Sequence, residues 1–128
     1  MRALPSGTVT FLFTDIDGST RLWDRFPAQM RVALARHDAL MREVIASHDG
    51  HVFKTVGDAF CAAFARPADA LAAARAAQRA LLAEPWPAPI AITVRMALHS
   101  GNADLRDGDY FGPPLNRIAR LLSAGHGG

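Results

Sequence analysis

The stretch His51-Val52-Phe53-Lys54-Thr55-Val56-Gly57-Asp58-Ala59-Phe60-Cys61-Ala62-Ala63-Phe64 decides the fold. His51–Val56 and Ala59–Phe64 are short runs of β-branched, aromatic and small apolar residues, and Gly57-Asp58 between them reads as a hairpin turn. A long helical pattern lies on each side. Pro27 suits the first turn of a helix reaching about His48, with Met30, Leu34, Met41, Val44 and Ile45 at helical spacing as its core face. Asp49-Gly50 ends it. Pro67 opens a second helix to about Ala83, in which Ala70, Ala74, Ala77 and Leu81 form a small-residue stripe suited to close packing on a sheet.

Outward again, Thr8–Phe13 is β-branched and aromatic and reads as a buried strand, and Ile90–Leu98 as another. Gly18-Ser19-Thr20 turns the chain and can cap a short helical piece, Arg21–Arg25. Pro85, Pro87 and Pro89 make a stiff connector. The order strand, helix, strand, strand, helix, strand is an α+β, ferredoxin-like split βαβ core (βαββαβ), an antiparallel sheet with both helices on one face. A strand or loop pair around Asp107-Gly108 follows, then a third helix from Pro113-Pro114 to about Ser123. Gly125-His126-Gly127-Gly128 reads as a loop.

At 128 residues the chain is one domain, and with half of its residues apolar it can form a core. The formal charge of +2 is small. No basic run interleaved with aromatics marks a nucleic-acid track. No apolar run approaches the ~18 residues of a membrane span. Asp15 ends the apolar N-terminal run too early for a signal peptide, so the expected compartment is the cytoplasm. Cys61 is the single cysteine, which excludes a disulfide framework and places it as a small core residue. His37 lies on the apolar stripe of the first long helix and reads as packed. No histidine pair has metal spacing. Trp23 and Trp86 read as packing anchors.

Three groups of residues carry chemistry. Asp15 follows directly on a buried strand in Phe13-Thr14-Asp15-Ile16-Asp17-Gly18-Ser19-Thr20, and Asp58 sits at a hairpin tip of the same sheet. Adjacent there, the two carboxylates suit one or two Mg²⁺ ions, which take one or two carboxylates plus substrate phosphates. Asp15 and Asp17 as caps of the following turn is the plainer alternative. Lys54 is the only lysine among fourteen Lys and Arg residues. In so arginine-rich a chain, a surviving lysine points to a compact point charge that a planar guanidinium does not replace. With Asp109, in Gly108-Asp109-Tyr110-Phe111-Gly112, it offers donors and an acceptor that match an adenine edge; Asp107 and Asp109 as turn residues is the alternative. Asn116 and Arg120, i and i+4 on the third helix, share a face apart from Leu115, Ile118, Ala119 and Leu122. They suit a ribose and a charged phosphoryl group, or merely a solvated helix face.

Together these segments resemble the catalytic domain of the class III adenylate/guanylate cyclases. Phe13 to Thr20 is similar to the first metal-ligand motif, Phe53 to Phe60 to the hairpin motif, and Tyr110 to Arg120 to the transition-state helix. The resemblance runs from Gly7 to the end of the chain. It implies an adenylate cyclase of cyclic-nucleotide signalling, converting ATP to 3′,5′-cyclic AMP and pyrophosphate. It implies two Mg²⁺ or Mn²⁺ ions held by Asp15, Asp58 and the Ile16 backbone carbonyl, adenine read by Lys54 and Asp109, the ribose oriented by Asn116, and α-phosphoryl charge stabilised by Arg120. In guanylate-specific members the two base-reading positions are typically Glu and Cys, so the resemblance is to the ATP-directed members. It also implies a head-to-tail homodimer, with metal ligands from one chain and the other four residues from its partner.

Against the family pattern, the expectation is that residues 1–128 are a single cyclase-like catalytic domain, incomplete at the C-terminus, without the family's further strands, helix and basic triphosphate contact. The expectation is therefore a third helix short of packing partners, an open sheet edge, and weak metal–ATP turnover, or even an inactive nucleotide-binding and dimerisation module. Asp15-Ile16-Asp17-Gly18-Ser19-Thr20 also resembles the nucleophile motif of haloacid-dehalogenase-like phosphatases, which implies a parallel sheet and Asp17 as acid/base.

Overall fold

A computed structural model describes residues 3–125. Its elements, in chain order, are β1 (Thr8–Ile16), α1 (Ser19–Arg25), α2 (Pro27–Ser47), β2 (Gly50–Val56), β3 (Ala59–Phe64), α3 (Pro67–Ala83), β4 (Val94–Asn102), β5 (Asp104–Arg106), β6 (Asp109–Phe111) and α4 (Pro113–Ala124). Four strands form one sheet in the order β2-β3-β1-β4, and β5 and β6 form a separate ribbon. All pairings are antiparallel. This is the split βαβ arrangement, with β3 between β1 and β2, and β1 between β3 and β4. The antiparallel sheet rules out the parallel architecture that a haloacid-dehalogenase-like phosphatase requires.

β1 is central, and its alternation sorts the core into two layers. Leu12 and Ile16 face α2 and α3, where they join Met30, Met41, Ile45, Phe60, Phe64 and the alanine stripe Ala70, Ala73, Ala74 and Ala77. Val9 and Phe11 face the other side, with Ala63, Ala97, Tyr110, Ile118 and Leu122. The third helix therefore does not lack partners: α4 seats Pro114, Ile118 and Leu122 on the second face of the sheet. Its start approaches β4 closely because Gly101 has no side chain; a Cβ there would lie 2.7 Å from Pro114 Cγ. Ala119, expected on the apolar face, is exposed.

Other boundaries moved. The last strand of the core is Val94–Asn102 rather than Ile90–Leu98, although Ile90 and Ile92 are buried beside it. Strand propensity marked the right apolar residues, but the register with all nine residues of β1 fixed the pairing. α1 begins after Gly18 in a left-handed conformation, and no side chain caps it, so neither Ser19, Thr20 nor the nearby aspartates serve as its cap. Asp107 and Gly108, both at positive φ, make the β5–β6 turn. His37 is fully buried edge-to-face on Phe60, as a packed side chain. The loop expected at Gly125–Gly128 lies, beyond Gly125, outside the described residues. No helix among the described residues is long and apolar enough to cross a membrane.

Gly50, at the start of β2, faces the ring of Phe64. A Cβ there would sit 2.5 Å from Phe64 Cε2 and 2.7 Å from Ile45 Cγ2. Both neighbours are core residues without room to retreat, so Gly50→Ala overpacks the core. The expected loss is about 1–3 kcal/mol, read as a lower urea midpoint at unchanged slope.

Candidate active site

The C-terminal end of β1 and the β2–β3 turn meet. The Ile16 backbone N–H donates to Asp58 Oδ1 at 3.2 Å, so the hairpin-tip carboxylate docks on the residue directly after Asp15. Asp15, one residue out of step with buried Ile16, points to the α4 face of the sheet. Its cross-strand partner on β4 is Arg95. Arg95 Nε donates to Asp15 Oδ1 at 2.8 Å and Nη2 to Oδ2 at 2.6 Å, a two-pronged pair. Arg95 Nη1 also reaches the Ser123 carbonyl near the end of α4, at 3.4 Å. The Asp15 hydrogen bonds, with the charges of Asp15, Asp17 and Asp58 around it, hold the Arg95 guanidinium above its ordinary pKa against an opposing effect of burial.

Arg95 is thus the centre of a carboxylate cluster, and the sequence reading missed it. Its signal is the opposition of Asp15 and Arg95 in the sheet, which exists only once register is known. Asp17 is exposed and donates its backbone N–H to the Thr93 carbonyl. Among the described residues no set of three or more His, Cys, Asp or Glu side chains forms a preformed metal cage. Asp15 and Asp58 nevertheless fit a divalent ion. They present hard oxygen donors beside the Ile16 backbone, and each carboxylate oxygen holding one hydrogen bond keeps a second lone pair.

A second cluster is built where β2 faces the β5–β6 ribbon. Lys54 Nζ lies 3.0 Å from Asp109 Oδ2. Asp109 Oδ1 accepts its neighbour's backbone N–H, that of Tyr110, at 2.7 Å, which fixes the carboxylate plane. Both partners remain partly open to solvent. Cys61 lies beneath, buried, and desolvation pushes its thiol up to about 11, with a smaller lowering effect from the Lys54 charge and a smaller raising one from Asp109. A thiol so held is a packed side chain and no nucleophile.

Asn116 and Arg120 are exposed along α4. Arg120, with His99, Arg117, Leu121 and Ala124, lines an open cleft beside that helix. Among the described residues no hydrogen bond or ion pair joins the Asp15–Arg95–Asp58 cluster to the Lys54–Asp109 cluster. None joins either to Asn116 or Arg120.

If the Asp15–Arg95 pair is the main neutralising contact of this cluster, the two residues are energetically coupled. Arg95→Ala is expected to lower the melting temperature, and to do so less in an Asp15→Asn background. The coupling should be on the order of 1 kcal/mol in a double-mutant cycle. Additive effects would remove the pair as a structural contributor.

Residues 1–128 match the family model described as the adenylate and guanylate cyclase catalytic domain. A functionally uncharacterised protein of Mycobacterium tuberculosis is 43% identical over 99% of this chain, which spans 43% of that protein. The adenylate cyclase of Schizosaccharomyces pombe is 34% identical over 97% of this chain, which covers 9% of it. The chain thus spans less than half the length of these relatives. A monomeric adenylate cyclase structure from Trypanosoma brucei superposes with a TM-score of 0.89 at 29% identity, over 96% of this chain and 71% of that one. An adenylate/guanylate cyclase/hydrolase from Silicibacter pomeroyi gives 0.78 at 31% identity, over 94% and 72%.

Proposed function

The chain belongs to the adenylate and guanylate cyclase catalytic-domain family, and from that premise we propose that it cyclises ATP to 3′,5′-cyclic AMP with release of pyrophosphate, as part of cyclic-nucleotide signalling. The observation that carries this reading is the bond from the Ile16 N–H to Asp58, which sets the hairpin carboxylate beside the end of β1. On this reading Asp15, Asp58 and the Ile16 carbonyl together would hold divalent ions. Two Mg²⁺ or Mn²⁺ ions bound there would supply electrostatic stabilisation to the triphosphate and the attacking ribose oxygen.

The remaining roles fall to side chains. Lys54 donates to a ring-nitrogen acceptor of adenine, and Asp109 accepts from its exocyclic amino group. Their mutual ion pair holds both heads at one edge when the base is absent. Asn116 orients the ribose, so that its 3′ oxygen faces the α-phosphorus. Arg120 presents a fork of donors to the α-phosphoryl oxygens as charge gathers there. The new bond is from O3′ to the α-phosphorus, the broken one is from that phosphorus to the bridging oxygen of the departing pyrophosphate, and the 3′ hydroxyl proton is lost to solvent. Catalysis on this reading is mainly positioning and charge stabilisation, as in phosphoryl transfer generally.

We further propose a head-to-tail homodimer, in which one copy supplies Asp15 and Asp58 and its partner supplies Lys54, Asp109, Asn116 and Arg120. This division is the one that the resemblance to the cyclase catalytic domains implies. Two half-sites on one chain then serve two different nucleotides.

The test is Lys54→Glu combined with Asp109→Cys, assayed on ATP and GTP with Mn²⁺. A swing of about tenfold or more toward GTP is expected, because a polar pocket rejects a base that leaves its groups unpaired. An unchanged preference would remove the base-reading assignment. Asn116→Ala and Arg120→Ala are each expected to lower kcat by about a hundredfold while leaving nucleotide affinity within a few-fold. Metal–ATP binding without any cyclic AMP from the unsubstituted chain would make this polypeptide a nucleotide-binding module instead.

A further inference from the structure

Residues along a strand alternate between faces, and β2 breaks the rule at one place. Val52 pairs with Ala62, but the next pairing is Lys54 with Cys61, so Phe53 and Lys54 together oppose a single residue of β3. Val52 packs into the layer beneath α2 and α3. Phe53 packs into the layer beneath α4 and the ribbon. In a regular strand Lys54 would follow Val52 to the α2–α3 face. Because of the extra residue it lies opposite Cys61, which is itself opposite Phe13 of the second layer. The bulge thus turns Lys54 to the side where Asp109 stands.

The bulged residue is also held. The Phe53 ring meets the Tyr110 ring edge-to-face at 4.8 Å, with an interplanar angle of 74°. Phe11 stands edge-on to both, at 6.0 Å from Phe53 and 5.1 Å from Tyr110. Tyr110 is nearly fully buried, and its hydroxyl donates to the Pro5 carbonyl. Phe53 precedes Lys54 in sequence, and Tyr110 follows Asp109. The ring pair therefore fastens β2 to the β5–β6 ribbon one residue away from each member of the ion pair. Two flexible polar side chains partly open to water do not hold a fixed spacing unaided; two packed rings do.

We infer that Phe53, as the bulged residue clipped on Tyr110, is a positioning residue that brings Lys54 to Asp109 and so sets the purine specificity of the site. The specificity half rests on the base-reading role proposed above; the positioning half does not. Phe53 touches no reacting group, and its effect runs through Lys54.

Lys54 is the only lysine in the chain, so lysine labelled with ¹³C at Cε gives one side-chain NMR signal. Asp109→Asn breaks the ion pair and shifts that signal to a reference position. Phe53→Leu keeps apolar volume but loses the ring, and is expected to move the signal most of the way to that reference. Phe53→Tyr, which keeps the ring, should restore the wild-type position. In the unsubstituted chain, nuclear Overhauser contacts across the strand pair should place both Phe53 and Lys54 opposite Cys61. That measurement decides the bulge even if Phe53→Leu does not fold. A wild-type signal in Phe53→Leu, or regular alternation opposite Cys61, overturns the inference.

In competition binding, Phe53→Leu is expected to reduce the preference for ATP over GTP by about tenfold. Lys54→Ala is measured beside it. Loss of preference in Lys54→Ala but not in Phe53→Leu overturns this inference and spares the base-reading role. Unchanged preference in Lys54→Ala overturns that role, while the NMR result still decides whether Phe53 positions Lys54.

Discussion

The antiparallel pairing of β1 on both edges is the constraint from which the rest follows. β3 and β4 bond to it from either side, and β4 does so along all nine residues. A strand so enclosed buries side chains on both faces, and its alternation assigns each residue to one of two layers. Leu12 and Ile16 go under α2 and α3, and Val9 and Phe11 go under α4. Asp15 then has one available direction, toward the α4 face, where Arg95 of β4 meets it. A slip of one residue would send the carboxylate into the apolar layer beneath the helices, at a desolvation cost that the fold could not meet. Register therefore fixes the face on which Asp15 meets Arg95.

The two faces of the sheet have different duties. The α2–α3 face is closed by alanines on α3 and larger side chains on α2. Its buried polar side chains are Thr10, which shares a hydrogen bond with Ser100, and Thr14 and His37, which each leave one side-chain polar atom without a partner. The α4 face carries the polar groups: Asp15 with Arg95, Lys54 with Asp109, and beyond them the exposed side of α4. Three departures from regular geometry shape that face. Gly101 lets Pro114 sit against β4, the positive-φ pair Asp107-Gly108 folds the ribbon, and the extra residue at Phe53 turns Lys54 outward.

Much of this was legible in the sequence. The split βαβ order followed from helical and strand periodicities bracketing one hairpin, because those signals are local. The alanine stripe of α3 and the packed state of His37 followed for the same reason. The motifs around Asp15, Asp58, Lys54 and Asn116 placed the candidate residues on elements that the structure also contains. What escaped depends on pairing between distant segments. Arg95 is an ordinary basic residue until β4 lies against β1. The bulge at Phe53 is invisible without knowing which β3 residue opposes it. The boundary of β4 moved four residues because the partner strand, and not local propensity, sets where pairing begins. The support for α4 was likewise underestimated, since its seat is assembled from β1, β4 and the ribbon together.

The central claim is that Asp15 and Asp58 converge on a shared divalent ion. The most direct measurement is Mn²⁺ binding followed by electron paramagnetic resonance, with a non-hydrolysable ATP analogue present, for the wild-type chain, Asp15→Asn and Asp58→Asn. Each substitution removes one charged donor and is expected to weaken Mn²⁺ binding by about tenfold or more, with the fold intact by circular dichroism. Wild-type Mn²⁺ affinity in a folded Asp58→Asn protein would contradict the account.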